Sequence, residues 1–337
     1  MADFAILTGI SWYPNPGYSN LDGPPNDIAL METWLTERAG LDPGNIRKVV
    51  TPSPLPDPVD LGKAPPVGLD FDLIFNEMLQ QRIAMGRARV SGRLYLYFSG
   101  HGFCNRSQNA APEAALYCAN ATKTYHPHLF GTQLARVAQG QALFKEVVLI
   151  MDCCRDSELA RTPTPHPYRD TPDDGLAAQV HLLAIYAAPK GGKAQERAIP
   201  ERGGAVHGLL THALVKLLEE LPSRDAAGIA SVDLRNALWN GWKSICGEDA
   251  APQPEVLPPQ NGEIYFPLVG KGTSVEFVWI QPPTDGATLT LIDNQFQEVA
   301  TFNLAGAAND TIAANGPVLH HERVPQGLRL RMRPGPY

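Results

Sequence analysis

Five short apolar runs, FAILT (4–8), IRKVVT (46–51), LYLYFSG (94–100), EVVLIMD (146–152) and HLLAIYAA (181–188), constrain this fold more than anything else in the chain. Apolar runs of this length, bounded by turn residues, read as strands covered on both faces. Helical patterns lie between most of them. NDIALMETWLTERAG has Asn26 or Asp27 as a cap, Ile28, Met31, Trp34 and Leu35 along one side, and Gly40 as a stop. LDFDLIFNEMLQQRIAMGRA and HLFGTQLARVAQG repeat that plan before the third and fourth strands, and GLLTHALVKLLEEL follows the fifth. Strands and helices in alternation predict an α/β fold: βαβ units building a mostly parallel sheet with helices on both faces. GEIYFPL (262–268) is expected to be a sixth strand that finishes the domain. In such a sheet the chemistry sits beyond the carboxyl ends of the strands.

From about residue 272 the pattern changes. SVEFVWI, ATLTLID, QEVATFNL and GLRLRMRP are short alternating runs separated by Pro, Gly, Asn and Asp, without a helical period. The chain is therefore expected to divide into an α/β domain, 1–268, and a small all-β domain, 272–337. Proline-rich TPSPLPDPVDLGKAPP (51–66) and polar RDSELARTPTPHPYRDTPDDG (155–175) read as loops. Trp239 and Trp242 read as the core face of a helix, and His207 and His212 as surface or packing residues.

With 337 residues and 44% hydrophobic content, the chain can bury a full core. A net charge of −7 offers no basic stripe for phosphates, which argues against nucleic acid and anionic membranes as partners. No apolar run approaches the roughly 18 residues of a membrane span, and MADFAILTGISW lacks the basic start of a secretory signal, so a cytoplasmic protein is expected. Five cysteines, with Cys153 and Cys154 adjacent, form no disulfide framework and point to reduced thiols.

Two strands end in unusual chemistry, the third in Ser99-Gly100-His101-Gly102 and the fourth in Asp152-Cys153-Cys154-Arg155-Asp156. In one parallel sheet both ends lie on the same edge, which brings His101 and Cys154 within reach of each other. A thiol beside an imidazole makes a nucleophile, because the histidine favours the thiolate and later protonates the leaving amine. The glycines around His101 allow a sharp turn, close approach to a substrate and a backbone N–H for an oxyanion. Neighbouring residues at a strand end face opposite sides, so Cys153 and Cys154 cannot both enter the site.

YFSGHG followed by IMDCCRD, with 154 − 101 = 53 positions from histidine to cysteine, resembles the caspase-like cysteine proteases, the superfamily of caspases, metacaspases and paracaspases. Asp152, Cys153 and Cys154 match the first three positions of the metacaspase D-x-C-H-S-G. LDGPPNDIALM is similar to the L-x-G-x-x-N-D-A segment of metacaspase-like and bacterial members, and GLLTHALVKLLEEL to their G-L-F-T-x-A-L helix. Arg155 and Asp156 depart from the His-Ser of the metacaspase motif. The resemblance covers about 1–268 and implies a caspase-like three-layer sandwich around a six-stranded sheet.

It also implies roles. Family register makes Cys154 the nucleophile and leaves Cys153 packed as a small apolar residue. His101 is the base, and the backbone N–H groups of Gly102 and Cys154 are the oxyanion donors. Asp27, Ser99 and Asp152 would line the pocket for the substrate side chain before the cut; two carboxylates there select Arg or Lys, where a caspase-type pocket would select Asp. Arg155, Arg161 and Arg169 are candidate self-cleavage sites. The expected function is a cysteine endopeptidase in regulated, defence-type proteolysis, with proteins or peptides as substrates and a regulatory protein docked on the C-terminal β domain. The alternative is an inactive caspase-like scaffold acting as an interaction module. No cofactor is expected: no C-x-x-C or H-x-x-x-H pair marks a metal site, and no contiguous acidic loop marks calcium.

Overall fold

The computed structural model describes residues 3–55, 60–84, 92–105, 114–156, 167–168, 174–221, 228–250, 253–267, 273–278, 287–292, 298–304, 311–312, 318–324 and 327–332. The chain divides into two compact units, Met1–Thr36 with Leu41–Leu221 and Ala230–Ile264, and Glu37–Gly40 with Pro222–Ile229 and Tyr265–Tyr337. The elements run β1 (Phe4–Gly9), α1 (Gly23–Glu37), β2 (Ile46–Val50), α2 (Gly68–Ala84), β3 (Arg93–Ser99), β4 (Gly102–Cys104), β5 (Ala114–Tyr117), β6 (His128–Phe130), α3 (Gly131–Gln141) and β7 (Glu146–Asp152). There follow α4 (Asp174–Ala177), β8 (His181–Tyr186), β9 (Glu196–Ile199), β10 (Ala205–Gly208), α5 (Leu209–Glu220), the two-residue β11 (Ile229–Ala230), α6 (Ser231–Cys246) and β12 (Glu255–Leu257).

The first unit is built on a six-stranded sheet in the order β12-β8-β7-β3-β1-β2. Five strands are parallel, and β12 pairs antiparallel with β8. This corrects the expected sixth strand at 262–268. The closing strand is Glu255–Leu257, and Tyr265–Phe266 is a separate two-residue strand, β13, of the second unit. A three-residue edge strand between prolines 252 and 254 on one side and 258 and 259 on the other is half solvated, so it carries no apolar run to announce it.

Side-chain alternation on the buried strands sorts the helices to two faces. Phe98 packs at a tilt against Phe71 of α2, and Met151 and Phe98 back directly onto Gly131 at the start of α3. On the other face, Tyr95 meets Trp34 of α1 edge to face, and the Tyr97 hydroxyl lies 2.6 Å from Thr211 Oγ1 of α5. The three-layer α/β sandwich is therefore as expected. The last helix of this unit, α6, buries Leu234, Leu238 and Trp242, whereas Trp239 is 59% exposed, which corrects its placement in the core. Among the described residues, no helix is long and apolar enough to cross a membrane.

The second unit contains two three-stranded antiparallel sheets: β14 (Thr273–Val278), β19 (Gly327–Met332) and β18 (Val318–Val324), and β15 (Thr288–Ile292), β16 (Glu298–Asn303) and β17 (Thr311–Ile312). Ala300, Phe302, Val318, Leu328 and Leu330 form its apolar cluster.

Candidate active site

The register of β3 against β7 pairs Ser99 with Asp152, so the two unusual strand ends leave the sheet side by side. Beyond the strands they stay together. Gly100 N donates to the Asp152 carbonyl at 3.4 Å, and Cys104 N donates to the Asp156 carbonyl at 3.1 Å, where Phe103 and Asp156 form a parallel bridge. Between these two ties run His101, Gly102 and Phe103 on one segment and Cys153, Cys154 and Arg155 on the other.

Gly102 is where the segments touch. A Cβ there would lie 2.5 Å from Cys153 Sγ and 2.7 Å from the Ala115 carbonyl oxygen, so only glycine fits. Cys153 is 1% exposed in the main apolar core, while Cys154 is half-buried. Gly102→Ala is expected to push the segments apart, destabilising the fold by about 1–3 kcal/mol and lowering any hydrolytic activity by ~100-fold. Thermal unfolding together with kcat measures both.

The imidazole of His101 is held from the β1–α1 connection. Its Nε2 lies 2.8 Å from the Ser19 carbonyl oxygen, and its ring packs against Tyr13 and Tyr18 at centroid distances of 4.8 and 5.7 Å. A carbonyl only accepts, so Nε2 carries a proton, and in the neutral form of the ring the lone pair lies on Nδ1. The Cys154 thiol points at the Ala194 carbonyl, Sγ to O 3.7 Å. Burial pushes this thiol above its ordinary pKa, against the lowering effect of the Ala194 contact. Imidazole and thiol thus lie on adjoining segments but are each bonded to a third group. In the β4–β5 ladder, Tyr117 N donates to the His101 carbonyl, which makes Gly102 and Leu116 a non-hydrogen-bonded pair. The Gly102 N–H therefore points away from β5.

The three residues expected to line a side-chain pocket do come together. Asp27 is wholly buried in α1 and is not the cap of that helix, which begins at Gly23. Its Oδ2 accepts from Ser99 Oγ at 2.9 Å, its Oδ1 faces His207 Nδ1 at 3.0 Å, and Gly208 N donates to both oxygens at 3.1 and 3.2 Å. Asp152 Oδ2 accepts from Thr211 N at 2.9 Å and Thr211 Oγ1 at 2.6 Å. The Gly208 backbone separates the two carboxylates so closely that a Cβ on it would lie 2.1 Å from Asp152 Oδ2.

Burial raises the pKa of Asp27, partly offset by His207 and Ser99. Burial, then the charge of Asp27, lifts Asp152 to about 7.

Two members of this cluster are not singled out as site residues by the sequence reading. His207, 4% exposed, is a partner of Asp27 and neither a surface nor a simple packing residue. Glu196 accepts from Asp22 N and Gly23 N at 3.2 and 2.9 Å at the start of α1, and its charge acts on Asp152. Both come from the β9–β10 hairpin, in which Glu196 pairs with Gly208. The one signal available is the His-Gly pair immediately before α5.

Arg155 turns away from the site. It is 1% exposed, its guanidinium lies 4.1 Å over the Tyr186 ring, and its Nη1 donates to the Ala188 carbonyl at 3.1 Å and pairs with Glu255 of β12. The folded chain thus does not present this side chain as a cleavage site; Arg161 and Arg169 lie outside the described residues. Among the described residues, no group of three or more His, Cys, Asp or Glu side chains could hold a metal ion.

Two solved structures resemble the chain in outline. One is the protein GSU0716 of Geobacter sulfurreducens, at 13% identity and a TM-score of 0.46, covering 79% of this chain and 95% of the other. The second is caspase-1 of Spodoptera frugiperda, at 11% identity and a TM-score of 0.47, covering 79% of this chain and 90% of the other. No curated protein matches the chain. The family model of the caspase domain, peptidase C14, matches residues 2–232. That match spans more than half of the chain, from before β1 to the first turn of α6, and takes in both strand ends and the acid cluster: the chain belongs to the caspase-domain family of C14 peptidases.

Proposed function

We propose that the chain is a cysteine endopeptidase in which His101 and Cys154 form the dyad and Asp27, Ser99 and Asp152 receive an Arg or Lys side chain before the cut. The observation that carries this reading is the double tie of segment 100–104 to segment 152–156, with two buried carboxylates at the same pair of strand ends. His101 Nδ1 takes the thiol proton. The thiolate attacks the peptide carbonyl, and the oxyanion that forms is met by the N–H groups of Gly102 and Cys154. The imidazolium returns the proton to the departing amine, and water then hydrolyses the thioester. Because burial raises the Cys154 pKa, the thiol does not ionise unaided near neutrality, and the base is indispensable. Ser19, through its carbonyl, holds the tautomer that leaves Nδ1 free for this work. His207 favours the ionised form of Asp27, and Glu196 disfavours that of Asp152.

A second reading, a domain that binds without cleaving, draws on the bond of the thiol to the Ala194 carbonyl. Fluorogenic peptides with Arg, Lys or Asp before the reporter separate the two. The expected result is turnover of Arg and Lys peptides at least ~100-fold above Asp, abolished in Cys154→Ala. An equal response to Asp refutes the pocket assignment, and no turnover of any peptide favours the second reading. Intact-mass analysis of the same preparations tests self-cleavage after Arg161 or Arg169.

A further inference from the structure

Next to His101 the β4–β5 ladder is interrupted by a side chain. Gly102 pairs with Leu116, so His101 and Tyr117 form the next pair outward, and Tyr117 N donates to the His101 carbonyl at 2.9 Å. An ordinary antiparallel pair is closed by the reciprocal bond, from His101 N to the Tyr117 carbonyl. Here the Tyr13 phenol stands between them: His101 N donates to Tyr13 Oη at 3.0 Å, and the Tyr13 hydroxyl donates to the Tyr117 carbonyl at 3.3 Å.

The intrusion is built into the site. Tyr13 is 3% exposed, and its hydroxyl rests on Gly100, where a Cβ would lie 2.8 Å from it. Gly100 has φ +151, a conformation that side chains rarely adopt, so the backbone leaves this space for the phenol. Burial holds the hydroxyl well above the ordinary tyrosine pKa, so it stays protonated and keeps both its accepting and its donating role. The same β1–α1 connection supplies Ser19, which fixes the imidazole at the other end of the residue.

We propose that the Tyr13 hydroxyl is a positioning group for His101, a splint that keeps the β4–β5 ladder from closing and so holds the histidine backbone where its imidazole serves Cys154. This rests on the reading of His101 as the base. Without the hydroxyl, the His101 N–H loses its acceptor and the Tyr117 carbonyl loses this donor, so the reciprocal bond of an ordinary antiparallel pair can form and draw His101 toward β5.

The test compares Tyr13→Phe, which keeps the ring, with Tyr95→Phe, which removes another buried tyrosine hydroxyl. The Tyr95 hydroxyl accepts from Arg93 Nη1 at 2.8 Å near the opposite end of β3, and it controls for stability. Two readouts are taken: kcat and KM on an Arg peptide, and the rate at which iodoacetamide alkylates Cys154 between pH 5 and 9, with Cys154→Ala and His101→Ala as references. The other four thiols are buried, so alkylation reports on Cys154.

Tyr13→Phe is expected to lower kcat by roughly 10- to 100-fold at unchanged KM. It is also expected to bring the alkylation rate at pH 7 down toward that of His101→Ala, while Tyr95→Phe changes neither. Wild-type kcat and alkylation in Tyr13→Phe, or an equal loss in Tyr95→Phe, overturn the proposal. If the wild type cleaves no peptide but the alkylation differences persist, the positioning role stands and the substrate reading fails. If wild type, Tyr13→Phe and His101→Ala alkylate alike, the positioning role falls whatever the peptides show.

Discussion

Cys154→Ala is expected to reduce hydrolysis of a basic peptide by at least ~10³-fold, and Cys153→Ala to leave it within a few-fold of wild type. The two thiols are neighbours in sequence with opposite surroundings. Cys153 is 1% exposed and packed against Gly102, and its pKa is pushed well above the ordinary value by burial, so its sulfur behaves as a small apolar group. Replacing it by Ala removes one atom from the core, a loss of about 1 kcal/mol that unfolding reports and kcat does not. Cys154 is half-buried, on the segment tied alongside His101. Alanine there removes the atom that attacks. Full activity in Cys154→Ala, or collapse of activity in a folded Cys153→Ala, would assign the nucleophile to the other residue.

The second large effect concerns the acid cluster. Asp152→Asn keeps an oxygen for Thr211 and removes a charge. The folded-state pKa of Asp152, about 7, lies above the ordinary carboxylate value of roughly 3.9. Between those values the folded chain therefore binds more protons than the unfolded one. Its contribution to stability is greatest below the lower value and is lost as pH rises through the upper one.

Asp152→Asn should therefore stabilise the protein at pH 8 by on the order of 2 kcal/mol, about 4–8 °C in Tm, and change little near pH 4. Thr211, Asp27, Glu196 and the Gly208 backbone surround this carboxylate, with His207 acting through Asp27. For binding the sign is reversed. KM for an Arg peptide should rise as pH falls below about 7, because a neutral Asp152 no longer attracts the guanidinium. In Asp152→Asn, kcat/KM on that peptide should drop by ~100-fold and its KM should lose the dependence. Destabilisation of the variant at pH 8, or an unaltered KM profile, would remove Asp152 from this role.

How much of this is legible in the sequence depends on where each signal is stored. The strands β1, β3 and β7 are buried on both faces, so their sequences are apolar throughout, and parallel topology then brings the ends that carry His101 and Cys154 to one edge. The strand β12 has no such signature, because an edge strand between prolines is half solvated. Reading Trp239 and Trp242 as one core face of a helix holds for Trp242 alone, because Leu234, Leu238 and Trp242 recur at four-residue intervals and leave Trp239 on the exposed side. Asp27 looks like a cap because it follows Asn26 ahead of an apolar stripe; the actual start at Gly23 frees its carboxylate for Ser99, His207 and Gly208. The contributions of Glu196 and His207 depend on how a short hairpin lands against α1, and the roles of Ser19 and Tyr117 are those of backbone atoms. Neither leaves a residue pattern to read.

The pairing of β7 with β8 runs from Glu146 against His181 to Met151 against Tyr186, and the chain beyond β8 supplies His207, Gly208 and Thr211 to carboxylates carried by α1 and β7, and Glu196 to the N–H groups at the start of α1. Scission of the polypeptide between 157 and 173 would therefore cut one covalent link and none of these bonds. The two fragments would stay locked as a noncovalent pair, each lacking half of the acid cluster without the other.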